Sequence, residues 1–198
     1  TVDFKDGPTE YQELVLGRLE GTAPAEGSSP ACGFANLSYN GGAESKPWIT
    51  KIGLGMQNLS FKNVTFNFSV GMNTRSMTGA ILNLSSASNL VIDGLTMLCS
   101  QDTRAYFGFI STAGGTVDGV EMKHVLVKDK TPNRTSRYNY TGGLIAYSTG
   151  DTNNVHAEDV KVLMPQNSYA GGIQGRQETY GQNFYGNTIK NFEVSGYN

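Results

Sequence analysis

Residues 141–162 read Thr141-Gly-Gly-Leu-Ile-Ala-Tyr-Ser-Thr-Gly-Asp-Thr-Asn-Asn-Val-His-Ala-Glu-Asp-Val-Lys-Val162 and form one unit of an internal repeat. The second half of the unit, residues 157–162, has the order apolar, charged, small polar, apolar, any residue, apolar. This rung motif returns at 61–66, 92–97, 122–127 and 189–194, and in a weaker form at 34–39. Its fourth positions are Leu37, Val64, Leu95, Val125, Val160 and Phe192, separated by steps of 27, 31, 30, 35 and 32 residues.

The first half of the unit, a short apolar segment that contains glycine, also recurs. Its copies are 78–82, 106–110, 141–145 and 170–174, with 51–55 as a first member, and they alternate with the rung motifs. A period of 20 to 50 residues with two apolar segments is typical of a solenoid, because no single repeat can bury its own apolar face. We therefore predict an all-β parallel solenoid of five to six coils over residues 34–198, preceded by an N-terminal cap or pairing segment at 1–33.

The third position of the rung motif predicts how the chain bends. It holds Asn36, Asn63, Gly94, His124, Asp159 and Asn191, which are residue types that tolerate a positive φ. A positive φ there lets both flanking apolar side chains face inward around a corner. The predicted inward stacks are Phe61/Ile92/Met122/Ala157/Ile189, Val64/Leu95/Val125/Val160/Phe192 and Ile81/Phe109/Leu144/Ile173. The second position is predicted to form an outward ladder of alternating charge: Lys62, Asp93, Lys123, Glu158 and Lys190.

Composition excludes some partners. The 198 residues are 16% charged, with a net charge of −2 and a pI of about 5.7, so no basic field attracts nucleic acid or anionic lipid. No apolar run approaches the roughly 20 residues of a membrane span. The chain starts at Thr1 without a signal peptide, which leads us to expect a processed or excised polypeptide. Two cysteines, Cys32 and Cys99, are too few for a disulfide scaffold and either form one bridge or none.

The segment from Gly142 to Gly150, followed by 155–162, resembles the GLUG-type repeats of bacterial surface proteins and of the non-catalytic part of IgA-cleaving metalloproteases. The resemblance covers roughly residues 34–198. It implies a right-handed parallel β-helix in a secreted or surface-anchored protein, where such repeats serve as a stalk, an adhesive surface or a spacer.

Catalytic motifs and metal-ligand spacings are missing from the sequence. His124 occupies the bend position and His156 precedes a rung motif, so both are interpreted as structural, and no cofactor is expected. Solenoid enzymes that act on polysaccharides use paired carboxylates. The candidates for such a pair here are Asp93, Asp118, Glu121 and Asp129, most of which are also explained as ladder or turn residues.

Two long loops are candidate binding sites for an anionic glycan or a partner surface. Their candidate residues are Lys128, Lys130, Arg134, Arg137, Tyr138 and Tyr140 in the first loop, and Arg176, Tyr180, Phe184 and Tyr185 in the second. They leave opposite ends of the glycine-bearing strand, so they are not expected to form one site. The glycosylation sequons are Asn36, Asn58, Asn63, Asn67, Asn83, Asn133 and Asn139, of which Asn133 and Asn139 are preferred because they lie in the first loop.

The sequence thus favours a non-enzymatic extracellular module, an adhesin shaft or filament building block that stacks end to end with itself or with neighbouring repeats. Its further partners would be glycans or a cell-surface protein of a host. One alternative is a β-helical carbohydrate-active enzyme or glycan-binding spike. Another is a donor-strand pilin with a β-sandwich fold, which antiparallel pairing would reveal.

Overall fold

The computed structural model describes residues 14–41, 46–68, 78–99, 106–129, 140–165, 169–178 and 181–197. These described residues are all-β, with 73% of them in strands and no helix among them, so they include no helix that could cross a membrane. The stacked parallel strands form a β-solenoid of about four turns. The predicted fold class is therefore confirmed.

The chain passes through six successive levels of the stack. The first level contains β1 (Val15–Glu20), β2 (Gly33–Ala35) and β3 (Ser38–Asn40), and the second is the single long strand β4 (Ile49–Phe68). The third level contains β5 (Thr78–Leu84) and β6 (Ala87–Cys99), and the fourth contains β7 (Tyr106–Ala113) and β8 (Val117–Asp129). The fifth level contains β9 (Tyr140–Gly142), β10 (Ile145–Ser148) and β11 (Thr152–Pro165), and the sixth contains β12 (Tyr169–Gly171), β13 (Gln174–Gln177) and β14 (Thr188–Tyr197). The strand that carries the rung motif is shorter in the outer levels, where β2 and β3 have three residues each and β14 has ten, than in the four inner ones, where it has 13 to 20. This explains why about four turns are complete, against the five to six coils predicted.

Every ladder between the described strands is parallel. Val64 pairs with Leu95, Leu95 with Val125, and Val125 with Val160. All four side chains are at most 2% exposed, so the predicted central column is confirmed. The β-sandwich alternative, which requires antiparallel pairing, is wrong.

The corner predicted at the third position of the rung motif is present in every copy. The φ angles are 55° at Asn36, 52° at Asn63, 80° at Gly94, 52° at His124, 53° at Asp159 and 47° at Asn191. Asn63 lies between Phe61 and Val64, both fully buried. A left-handed residue between them reverses the usual alternation of side chains along a strand, so both neighbours point into the core.

A second column of corners lies five residues before the first and was missed in the sequence. It consists of Asn58, Asn89, Gly119, Asn154 and Gly186, with φ between 50° and 66°. The asparagines of both columns form ladders: the Asn63 amide donates to Asn36 Oδ1 at 2.9 Å, and the Asn89 amide donates to Asn58 Oδ1 at 2.8 Å. These bonds connect the first level to the second and the second to the third directly at the corners.

The predicted stack of the glycine-bearing strands was wrong by one position. Ile81 pairs with Ile110, and Ile110 with Ile145, in place of the predicted Phe109 and Leu144, and Ile145 pairs with Gln174 in place of Ile173. The error arises between the third and fourth levels: the motif aligned residues 78–82 with 106–110, which places Gly79 over Phe107, whereas Gly79 pairs with Gly108. Phe109 is buried, with its ring 5.0 Å from that of Phe61.

The stack begins before residue 34. The N-terminal segment, predicted to be a cap or a pairing segment, contains β1, which pairs in parallel with residues 51–57 of β4. Cys32 and Cys99 form no disulfide. The register explains why: Gly33 pairs with Ser60, whereas Cys99 pairs with Phe68, eight residues further along β4.

Two substitutions of Asn63 distinguish the requirement for a positive φ from the contribution of the hydrogen bond between Asn63 and Asn36. Asn63→Ala and Asn63→Gly both remove the amide that donates to Asn36, but only alanine is strained at φ 52°. We expect the alanine variant to be less stable than the glycine variant by about 1 kcal/mol. Urea unfolding of the two variants measures this difference, and equal midpoints would contradict the corner explanation.

Candidate functional site

The glycine-bearing strands of the fifth and sixth levels bend sharply, between β9 and β10 and between β12 and β13. A Cβ on Gly142 would lie 1.9 Å from the carbonyl oxygen of Ile145, and one on Gly171 would lie 2.0 Å from that of Gln174. Only glycine allows this approach. These glycines therefore permit close packing of the backbone at the bend.

The bend gathers tyrosines from several levels. The rings of Tyr140 and Tyr147 lie 5.9 Å apart although seven residues separate them in the chain. Tyr106 stacks on Tyr147 at 4.7 Å with an interplanar angle of 6°, and Tyr169 lies 5.5 Å from Tyr140. Tyr140 is 2% exposed at the centre, whereas Tyr169 is 60% exposed at the edge. Offset aromatic pairs at these distances contribute about 0.5–1.5 kcal/mol each beyond their buried area.

Arg176 completes this group. Its guanidinium carbon lies 4.8 Å from the centroid of the Tyr140 ring, and the guanidinium donates a hydrogen bond to the Tyr140 hydroxyl. Glu178 forms an ion pair with it at 3.8 Å. Tyr140 and Arg176, which were predicted to belong to separate loops, are therefore in contact. We call Tyr106, Tyr140, Tyr147, Tyr169 and Arg176 the tyrosine–arginine cluster.

The other predicted loop residues do not join this cluster in the described structure. Lys128 is half-buried at the end of β8 and pairs with Leu98 and Leu163. Phe184 and Tyr185 are 51% and 58% exposed, on a segment that bonds to the corner at residues 152–154. Several predicted residues lie outside the described part of the chain: Lys130, Arg134, Arg137, Tyr138, Tyr180, Asn133 and Asn139.

The described sequons lie on the solenoid wall. Asn36, Asn58 and Asn63 are corner residues whose amide groups belong to the ladders between levels. Asn67 and Asn83 are half-buried in strands β4 and β5. Their modification stays a prediction, and a glycan on Asn63 would remove one donor hydrogen from an amide that bonds across levels.

The outward charge ladder has the predicted register but only one of the predicted ion pairs among the described residues. Lys123 Nζ lies 3.3 Å from Glu158 Oε2, and both side chains are about half exposed. Asp93 accepts a bond from His124 Nδ1 at 2.8 Å instead of pairing with lysine. His124 Nε2 lies 3.5 Å from Asp159 Oδ2, so this imidazole connects three levels of the stack.

Three of the four acidic residues considered for catalysis have structural partners or stand beside basic groups, and the side chain of the fourth, Asp129, lies outside the described part of the structure. Asp93 bonds to His124, and Asp118 accepts a 2.7 Å bond from the Asn154 amide. Glu121 and His156 line a shallow groove of about 300 Å³ together with Lys123. His156 Nδ1 bonds to the Thr188 hydroxyl at 2.8 Å. The described residues include no group of three or more His, Cys, Asp or Glu that could hold a metal.

The His124 contacts predict a pH dependence. The hydrogen bond to Asp93, with smaller attractions from Asp159 and Glu158, raises the pKa of His124 above its usual 6.5. Because the folded pKa lies above the unfolded value, the stabilising contribution of His124 is complete below about pH 6.5 and is lost as pH rises through the folded pKa. NMR titration should give a raised pKa in the wild type and a lower one in Asp93→Asn. A smaller decrease is expected in Asp159→Asn, and a pKa that does not move in Asp93→Asn would contradict this assignment.

No protein-family model, curated protein or solved structure matches the chain. The resemblance to GLUG-type repeats therefore stays a prediction. What is known of the fold and of the tyrosine–arginine cluster comes from the register and contacts of this chain itself.

Proposed function

We propose that this chain is a non-enzymatic structural module of a secreted or cell-surface protein, an adhesin shaft or filament building block that stacks end to end. The observation that carries the proposal is the exposed last level. Phe192 and Val194 of β14 are 57% and 39% exposed, although they continue the columns of Val160 and Val162, which are fully buried.

The backbone of β14 supports the same proposal. Among the described strands β14 pairs only with β11, so its second edge offers backbone donors and acceptors to another strand. An open edge beside exposed apolar positions is a template for pairing with another chain. A further solenoid level placed there would cover Phe192 and continue the parallel ladder.

The first level differs from the last. Leu37, which opens the column that ends at Phe192, is only 3% exposed, and Phe34 is half-buried between Trp48 and Phe61, with ring centroids 4.9 and 5.4 Å away. The two ends are therefore not equivalent, and β14 is the end from which we expect association to start. Contact between β14 and a first level would give open-ended growth, whereas contact between two β14 strands would close as a dimer.

Sedimentation velocity over a range of protein concentrations tests this function. The sedimentation coefficient of the wild type should rise with concentration. Phe192→Glu should weaken the association at least about tenfold, because burying a phenylalanine side chain contributes about 1.5–3 kcal/mol.

Leu54→Glu is the matched control, since Leu54 is also an exposed apolar residue, 67% accessible, but lies on β4 away from the open end. It should associate like the wild type. A wild type that remains monomeric at every concentration would contradict end-to-end stacking, and association that stops at the dimer would contradict the filament role.

A further inference from the structure

A row of side chains runs along the axis of the solenoid beside the tyrosine–arginine cluster. Each member pairs with the next across one level: Lys51, Asn83, Thr112, Tyr147 and Arg176. Stacked strands are about 4.8 Å apart, so the row presents a polar or aromatic group at each step over roughly 19 Å. Such a row suits a linear ligand that lies parallel to the axis.

The row borders a groove of about 260 Å³. Lys51 lies at one end of the groove and Tyr147 at the other, with Asn83 and Thr112 between them and Thr149 on the same level as Tyr147. The Thr112 hydroxyl and Asn83 Oδ1 are 2.8 Å apart, and the Asn83 amide lies 3.4 Å from the carbonyl oxygen of Thr50. These bonds hold the Asn83 amide in one orientation and leave it with further capacity to donate and accept.

Tyr147 is an ordered aromatic surface at the end of the groove. Its ring stacks on Tyr106 and lies 5.9 Å from Tyr140, so its position is fixed before any ligand binds. A ring that is already ordered loses little entropy on binding. The apolar face of a pyranose packs on such a ring, while its hydroxyl groups need donors and acceptors like those of Asn83 and Thr112.

The positive charge of Lys51 beside the groove favours an acidic sugar over a neutral one. Lys51 is exposed and has no ion-pair partner among the described residues. Arg176, at the far end of the row, shares its charge with Glu178. The protein carries a net charge of −2, which disfavours densely charged polyanions such as nucleic acids. Among the described residues, Lys51 is the one unpaired cation beside this groove. The groove lining combines amide and hydroxyl groups with a larger apolar surface, which matches a sugar chain whose pyranose faces are apolar and whose carboxylates are spaced.

We propose that this groove binds a linear oligosaccharide that contains uronic acid, with its chain along the solenoid axis. One pyranose ring packs on Tyr147, its neighbours bond to Asn83 and Thr112, and a carboxylate pairs with Lys51. The binding site does not depend on the open end at β14, so it stands whether or not the chain associates end to end.

Titration with oligogalacturonate, and with a neutral cello-oligosaccharide of equal length, tests the site by NMR shift mapping and calorimetry. Oligogalacturonate should bind more tightly than the neutral chain and shift the amides of Lys51, Asn83 and Thr112. Lys51→Gln should weaken oligogalacturonate binding about tenfold and leave the neutral chain unaffected. Tyr147→Ala should weaken both.

Two control variants separate the groove from its surroundings. Tyr169→Ala removes an exposed tyrosine of the same cluster that does not line the groove, and Lys190→Gln removes a lysine on another face. Both should bind like the wild type. The proposal is overturned if oligogalacturonate does not bind, if Lys51→Gln and Tyr147→Ala bind as tightly as the controls, or if the neutral chain binds equally well.

Discussion

The left-handed backbone at the corners is the constraint on which the rest of the structure depends. Residues with φ near 50° recur in two columns five residues apart, and each turns the chain while keeping the apolar residues on both sides inside. Because the corners of neighbouring levels lie above one another, the strands between them are held in register. The apolar columns, the charge ladder and the outer row beside the tyrosines are all consequences of that register.

Much of this could be predicted from the sequence because the first corner column occupies a fixed place in a recognisable motif. Asn63 and Asp159 each occupy the third position of a copy of the rung motif, between the apolar residues at its first and fourth positions. Only a few residue types accept the conformation required there. The second column was missed because Asn58 and Asn89 lie outside the rung motif, five residues before its third position. The glycine-bearing strands were displaced by one position because the apolar pattern aligned residues 78–82 with 106–110, whereas in the structure Gly79 pairs with Gly108.

The candidate site was only partly predictable for a related reason. Tyr140 and Arg176 were identified as candidate residues, but their contact depends on a bend that is created by the close approach of Gly142 and Ile145. Tyr147 belongs to the row of Lys51, Asn83 and Thr112 only through pairing across levels. A sequence repeat can indicate that levels exist. Predicting which side chains of different levels are neighbours requires a register that is known to a single residue.

The central claim is that successive levels stack in register through the column of Val64, Leu95, Val125 and Val160. Methyl NOE spectroscopy on valine- and leucine-labelled protein tests it most directly, since neighbouring levels are about 4.8 Å apart and alternate levels about 9.6 Å. The account predicts strong cross-peaks between Val64 and Leu95, Leu95 and Val125, and Val125 and Val160, with none between Val64 and Val125. A direct Val64–Val125 contact, or the absence of the three neighbouring contacts in folded protein, would contradict it.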